Sequence, residues 1–331
     1  MADTRLDVLT IGNAIVDVIA DATDEFLAAE GLTKDSMRLV DAEEAKRLYE
    51  HMQPAREVSG GCAGNTAAGV AALGGRAGFI GQVAPDQLGE FYIHDLRAAG
   101  IEFTTPPVDV GVPTARSMIL VTPDGHRTMN TFLGAAQELS TEVLDEEQIR
   151  SSRILYLEGY LWDPETPRYA MVRAIEVARA ADRKVAFSLS DLFCVERHRD
   201  GFQALIDEGR IDILFANQAE IEAMATVAHL DTAIDAIAPK VGTLVVTRGA
   251  AGALAVRGGQ RVEVNAEPVA EVVDTTGAGD LFAAGFLAGE SRGLSLEQSL
   301  KLGAICAAEI IQHYGARPEE DLRALAKPVL G

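Results

Sequence analysis

The chain has 331 residues, 48% of them hydrophobic and 24% charged, a balance that excludes a disordered or fibrous polypeptide and allows one large α/β unit or about two ordinary ones. Lys and Arg number 29 against 50 Asp and Glu, a formal charge of −21, which argues against nucleic acid and anionic membranes as partners. A phosphate site on such a chain must be assembled locally, from backbone dipoles, a metal ion and a few cations.

Leu6 to Ile11 has the pattern of a buried strand ending at Gly12. The period of two that follows puts Asn13, Ile15 and Asp17 on one face, where Asn13 and Asp17 suit vicinal hydroxyls of a sugar; a half-exposed strand with a solvated face explains the pattern equally. Only one glycine follows the first strand, so the dinucleotide fingerprint G-x-G-x-x-G is missing, which disfavours a nicotinamide dehydrogenase; a Walker loop is absent too. Ser59-Gly60-Gly61-Cys62-Ala63-Gly64-Asn65-Thr66 opens a helix running to about Leu73. Its glycines allow close approach of a ligand, and Asn65 offers a donor and an acceptor to a hydroxyl, although close helix packing accounts for the small residues as well. Between Thr104 and Ala136 the pattern turns to strands, with 116–121 and 127–132 flanking the turn Pro123-Asp124-Gly125. With 13–20, 36–41 and 55–59 these predict a small β excursion able to act as a lid that excludes water.

The second half alternates strands at 154–158, 185–190, 211–215 and 243–247 with helical patterns near 166–182, 202–209, 218–226 and 231–239. Such alternation predicts parallel strands under right-handed crossovers, with ligands at the carboxyl ends of the strands. Asn217-Gln218-Ala219-Glu220 and Thr247-Arg248-Gly249-Ala250-Ala251-Gly252 fall there. The stretch around which the chain is organised comes last: Asp274-Thr275-Thr276-Gly277-Ala278-Gly279-Asp280, running into an apolar helix. Amides of Gly277, Ala278 and Gly279 at a helix N-terminus form an anion site, and Asp280 sets a carboxylate at its rim, ready to take a proton from an attacking alcohol. An Asp in the first turn of a helix is also a common cap, and local chemistry leaves both readings open.

Three cysteines, Cys62, Cys194 and Cys306, form no Cys-x-x-Cys pair and fit reduced thiols. The start of the chain lacks a signal-peptide pattern, and no apolar run approaches the roughly 18 residues of a spanning helix. The expectation is a cytoplasmic protein.

Gly60-Gly61-x-Ala63-x-Asn65-Thr66 and Asp274 to Asp280 resemble the two signatures of the ribokinase-like, or PfkB, carbohydrate kinase family. Asn217-x-x-Glu220, the 247–252 turn and the interval between the signatures match as well, so the resemblance spans essentially the whole chain. Within the family the opening strand, the 274–287 helix and Ala307 to Ile311 are most similar to adenosine kinases. Cys62-Ala63-Gly64 and Tyr160-Leu161 depart from the usual pattern and bear on the acceptor.

The resemblance implies a ribokinase-like α/β unit over 1–331: a mostly parallel sheet with helices on both faces, and a discontinuous β lid from about 13–20, 36–60 and 104–136. It implies transfer of the γ-phosphoryl of MgATP to a primary hydroxyl of a ribonucleoside, most like adenosine to AMP. Asp280 would be the base, with the 277–279 amides holding the transferring group. Asn13, Asp17, Gly61, Asn65 and Tyr160 would bind the acceptor, with Met37 and Leu39 as further purine contacts. Asn217 and Glu220 would position Mg²⁺ through water, and Thr247, Gly249 and Gly252 would line the ATP site. Asp274 and the Thr276 carbonyl would hold a monovalent cation such as K⁺. Arg116 and Arg127 read as surface residues of an exposed hairpin within reach of phosphate. A monomer, or a homodimer through the lid, is expected. Two alternatives stand: a fructokinase- or ribokinase-like sugar kinase, and a nucleotide or sugar sensor on a kinase scaffold without turnover.

Overall fold

The computed structural model describes residues 4–331. Fourteen strands are present among them: β1 (Leu6–Ile11), β2 (Ile15–Asp21), β3 (Met37–Leu39), β4 (Arg56–Ser59), β5 (Ala77–Ile80), β6 (Glu102–Phe103), β7 (Ala115–Val121), β8 (Arg127–Phe132), β9 (Ser152–Glu158), β10 (Lys184–Ser188), β11 (Ile213–Asn217), β12 (Thr243–Thr247), β13 (Ala253–Arg257) and β14 (Gln260–Val264). Nine form one sheet in the order β14-β13-β12-β11-β10-β9-β1-β5-β6. It is parallel from β12 to β6 and antiparallel at the β12–β13–β14 edge.

Alternate residues of its central strands enter different cores. Leu155 and Leu157 pack with Leu9, Phe187 and Leu214, whereas Ile154 and Tyr156 pack with Val8, Phe79 and Phe286. Both faces are therefore covered by helices, which is why these strands read as unbroken apolar runs. The predicted parallel strands and crossover helices are all present. One helix starts earlier than its periodicity suggests: Leu192–Asp207 begins where the Asp191 carboxylate caps the Cys194 N–H at 2.6 Å, and is kinked at His198 (φ −121°, ψ 15°).

The other five strands make a second sheet, β3-β8-β7-β2-β4. One face packs Met118, Leu120 and Phe132 on Leu27 and Leu48 of two short helices. Pairing aligns the opposite face in rows, because side chains alternate along each strand. Asp17, Ser117, Thr131 and Leu39 form one row. Ile19, Ile119, Met129 and Met37 form the next, and Asp21, Val121 and Arg127 lie beyond it. Asn13 does not share the face of Asp17 as the period of two predicts. It precedes β2, in the turn from β1, where its amide and side chain are committed to Glu158.

Candidate active site

The helix Ala278–Ser291 starts at Gly277, whose φ of +78° is a left-handed conformation that side chains rarely adopt. A Cβ there would also come within 2.7 Å of the Ala316 Cβ. No side chain caps this N-terminus, so capping does not describe Asp280. The Gly277 and Gly279 N–H groups find no acceptor among the described residues, while Ala278 donates to the Thr275 carbonyl at 3.2 Å. Two of the three expected amides are thus open, and the third is engaged within its own turn. Gly279 is exposed, with clear space where a side chain would stand.

Asp280 is fixed from the helix Cys62–Ala72. Asn65 Nδ2 donates to its Oδ2 at 2.9 Å, Thr66 Oγ1 donates to the Asp280 carbonyl at 3.2 Å, and Cys62 lines the same cavity. Burial raises this carboxyl to about 6, against the opposing pull of Asn65, Cys62 and Arg317. A base poised there is ionised at neutral pH yet basic enough to receive an alcohol proton. Asn65 Oδ1 is buried and has no hydrogen-bond partner among the described residues.

A cavity of about 300 Å³ brings together Cys62, Asn217, Glu220, Thr247, Gly277, Gly279 and Asp280, with Tyr156, Ser188 and Ser190. Strand ends β9 to β12 and the anion loop thus converge on one space, as parallel sheets arrange it. Gly249 and Gly252 lie in the turn after β12, outside this lining. Tyr160 does not line it either; half-buried in the short helical turn Gly159–Trp162, its ring packs against the apolar core.

Asn217-x-x-Glu220 forms a capping box. Asn217 Oδ1 accepts the Glu220 N–H at 2.9 Å, and Glu220 Oε2 accepts the Asn217 N–H at 2.9 Å. The sequence carried that signal, an Asn three residues before a Glu at a helix start. Glu220 is buried at the cavity wall, which raises its carboxyl to about 7.

On the other side of Asp280, Asp17 is raised to about 7 by burial, with Arg317 and Arg127 pulling it down. Gly60 presses against it, since a Cβ there would lie 2.4 Å from Asp17 Oδ2. Gly61 (φ +80°) turns the chain into the helix. Glu158, which sequence reasoning missed, ties these parts together. Only 1% exposed at the end of β9, it accepts the Asn13 N–H and Nδ2 at 2.7 and 2.8 Å and the Ala63 N–H at 2.8 Å. A carboxylate closing an apolar strand was its one signal.

Two arginines correct the expectation of an exposed hairpin. Arg127 is buried, its Nη1 2.9 Å from Asp274 Oδ2 and its guanidinium 5.1 Å from the Tyr314 ring centroid. The burial follows from register: Arg127 shares the face of Asp17, which turns toward the anion loop. Its Nε and Nη2 find no acceptor among the described residues. Arg116 is in register with Val16 and Phe132 on the opposite face, over the Tyr49 ring. It is directed away from the site.

Asp274 also accepts the Thr276 N–H and hydroxyl on Oδ1, at 3.1 and 2.8 Å, and the Gly315 N–H on Oδ2 at 3.1 Å. With both oxygens engaged, this carboxylate does not fit as an inner ligand of a monovalent cation.

The family model of pfkB carbohydrate kinases matches residues 8–322. The chain belongs to that family. The solved adenosine kinase of Sinorhizobium meliloti is 49% identical, with a TM-score of 0.91 over 98% of this chain and 99% of that one. A probable sugar kinase of Rhizobium etli CFN 42 is 47% identical, with a TM-score of 0.92 over 98% of each chain. The adenosine kinase of Saccharomyces cerevisiae is 29% identical over 330 residues, covering 93% of this chain and 95% of its own. The protein is a pfkB-type kinase, a sugar or nucleoside phosphotransferase of a family that uses ATP, and its fold is ribokinase-like.

The kinase offers hard oxygen donors for a magnesium ion, but no group of three or more His, Cys, Asp and Glu side chains converges among the described residues. Both Glu220 oxygens already accept from Asn217. Asn217 and Glu220 therefore suit a cation that keeps its water shell and takes its inner ligands from nucleotide phosphates. Among the described residues no helix is long and apolar enough to cross a membrane.

Proposed function

We propose that the kinase transfers the γ-phosphoryl of ATP to the primary hydroxyl of a ribonucleoside, converting adenosine to AMP. The observation that carries the nucleoside is the apolar row Ile19, Ile119, Met129 and Met37, beside the row that holds Asp17. Two positions along a strand span about 7 Å, the offset between a ribose and its base. Met37 and Leu39 are 43% and 54% exposed, so apolar surface is available to cover a purine ring. A free sugar would meet little there that it could hydrogen-bond. The likeness to the Sinorhizobium meliloti adenosine kinase supports the same acceptor. A sugar acceptor has its own support in the almost equal likeness to the Rhizobium etli protein.

In this reading Asp17 accepts hydrogen bonds from the ribose hydroxyls, and the unpartnered Asn65 Oδ1 accepts one more from the substrate. Asp280 takes the proton of the attacking hydroxyl. Gly277 and Gly279 amides hold charge on the transferring group, aided by the free N–H groups of Arg127, since positioning and electrostatics dominate phosphoryl transfer. Asn217 and Glu220 would orient Mg²⁺ through its water shell, and the ion would supply positive charge against the phosphates. Thr247 lines the nucleotide side, and the second sheet acts as the lid.

ADP release measured with adenosine, inosine, ribose and fructose tests the assignment. Adenosine should exceed ribose and fructose in kcat/KM by at least about 100-fold, the scale of one well-used apolar pocket. Preference for a free sugar would overturn the nucleoside acceptor, and ligand binding without any product would establish a sensor.

A further inference from the structure

Arg317 lies in the turn between the helices Leu296–Ile310 and Leu322–Leu330, outside every motif of the sequence. Its guanidinium reaches back to the opening of the helix Cys62–Ala72. Nε donates to the Ser59 carbonyl at 3.0 Å, Nη1 to the Gly64 carbonyl at 2.7 Å, and Nη2 to Ser59 Oγ at 2.8 Å. Between these contacts the Tyr92 hydroxyl donates to the Gly60 carbonyl at 3.1 Å. Carbonyls 59, 60 and 64 are thus all held by two side chains, and Gly61 and Asn65 ride on the loop and first helical turn they hold.

Gly64, one of the residues by which this chain departs from its family's pattern, makes the arrangement fit. A Cβ at that position would fall 2.5 Å from the Tyr92 hydroxyl and 3.7 Å from Arg317 Nη2. The guanidinium also carries its charge to Asp17 and Asp280, with Asp95 and Tyr92 its other titratable neighbours. Three directional bonds from one planar fork fix an orientation that the single ammonium of a lysine does not.

We propose that Arg317 is a positioning residue of the acceptor site: it fixes the loop and first helical turn that bear Gly61 and Asn65, so acceptor binding depends on it and ATP binding does not. The inference rests on the kinase reading above and adds a residue that acts through the loop rather than on the reacting atoms.

Steady-state kinetics of wild type, Arg317→Lys and Arg317→Met, with acceptor and ATP varied in turn, test it. Each protein is first checked for a cooperative thermal transition. Arg317→Met should raise the acceptor KM by about 10–100-fold and leave the ATP KM within about twofold, and Arg317→Lys should recover part of the loss. Ser59→Ala removes one of the three contacts, together with the hydrogen bond from the Ser59 hydroxyl to Asp95, while keeping the charge. It should move the acceptor KM about threefold the same way, and it decides the matter if Arg317→Met does not fold. An unchanged acceptor KM, or equal rises in both KM values, would overturn the inference, the latter marking Arg317 as general support of the fold. A wild-type protein that phosphorylates no alcohol would bring down the kinase acceptor reading and this inference with it. A working wild type with indifferent variants sinks only the inference.

Discussion

Arg127 of the five-stranded sheet and Asp274 of the anion loop meet 2.9 Å apart, with side chains only 8% and 5% exposed. The pair fastens the second sheet to the loop that precedes Gly277. Buried charges of this kind are costly to separate, because the survivor loses its partner and regains no water. Arg127→Met should therefore destabilise the protein by about 3 kcal/mol or more, read from urea denaturation. Adding Asp274→Asn should recover part of that loss. Simple additivity of the two substitutions would show that the charges do not couple.

Asp280→Asn removes the proposed base while keeping the size of the side chain. Turnover should fall by about 10²–10⁴-fold, with the ATP KM little changed. Wild-type kcat in this variant would end the assignment of Asp280.

The acidic limb of the activity profile follows from the same group. Asp280 must be ionised to accept a proton and is raised to about 6. The kcat/KM for the acceptor should be level near pH 8 and fall as pH drops through 7 and then 6, where acceptor-binding Asp17 and then Asp280 take up protons. An acidic limb unchanged in Asp280→Asn would assign it to another group.

Stability should run with pH in the direction opposite to that of a protein held by surface ion pairs. Asp17 and Glu158 are both raised to about 7, Asp280 to about 6, and in each burial is the largest cause. The native state then binds more protons than the unfolded chain between about pH 4 and 7, so these groups stabilise most at the acidic end and lose that contribution as pH rises through 7. The melting temperature should be higher at pH 5.5 than at pH 8. The overall charge of −21 acts in the same direction, so the comparison belongs in about 0.5 M salt, where surface repulsion is screened. A flat profile in salt would show that the buried carboxylates are not responsible.

Gly60→Ala tests the acceptor side by shape alone. The added methyl would meet the Asp17 carboxylate at 2.4 Å and must displace it. The acceptor KM should rise by about tenfold or more, with the ATP KM unchanged, as expected when only one substrate loses a contact. Equal effects on both substrates would mean that the loop as a whole had collapsed.

The layered architecture was legible because buried parallel strands read as unbroken apolar runs, as from Ile154 to Leu157, and the fully buried helix after Asp274 as a long run of small and apolar residues. The glycine clusters were legible for a related reason: close approach demands small residues, and these are visible in any sequence. What stayed hidden depended on pairing between distant segments. Arg127 follows a Pro-Asp-Gly turn that suggests exposure, and only register reveals that its face turns inward. Glu158 looks like an ordinary polar strand end until β1 is placed next to β9 and Asn13 comes within reach. Asn13 itself was assigned to the wrong segment, because a period of two continues across a turn as readily as along a strand.

The hydrogen bond from Asn65 to Asp280 joins positions 215 residues apart, and no shorter piece of the chain contains both. During synthesis the segment that carries Asn65 emerges long before the one that carries Asp280. The emerging polypeptide therefore holds only half of the proposed reaction centre until the segment that carries Asp280 has been made.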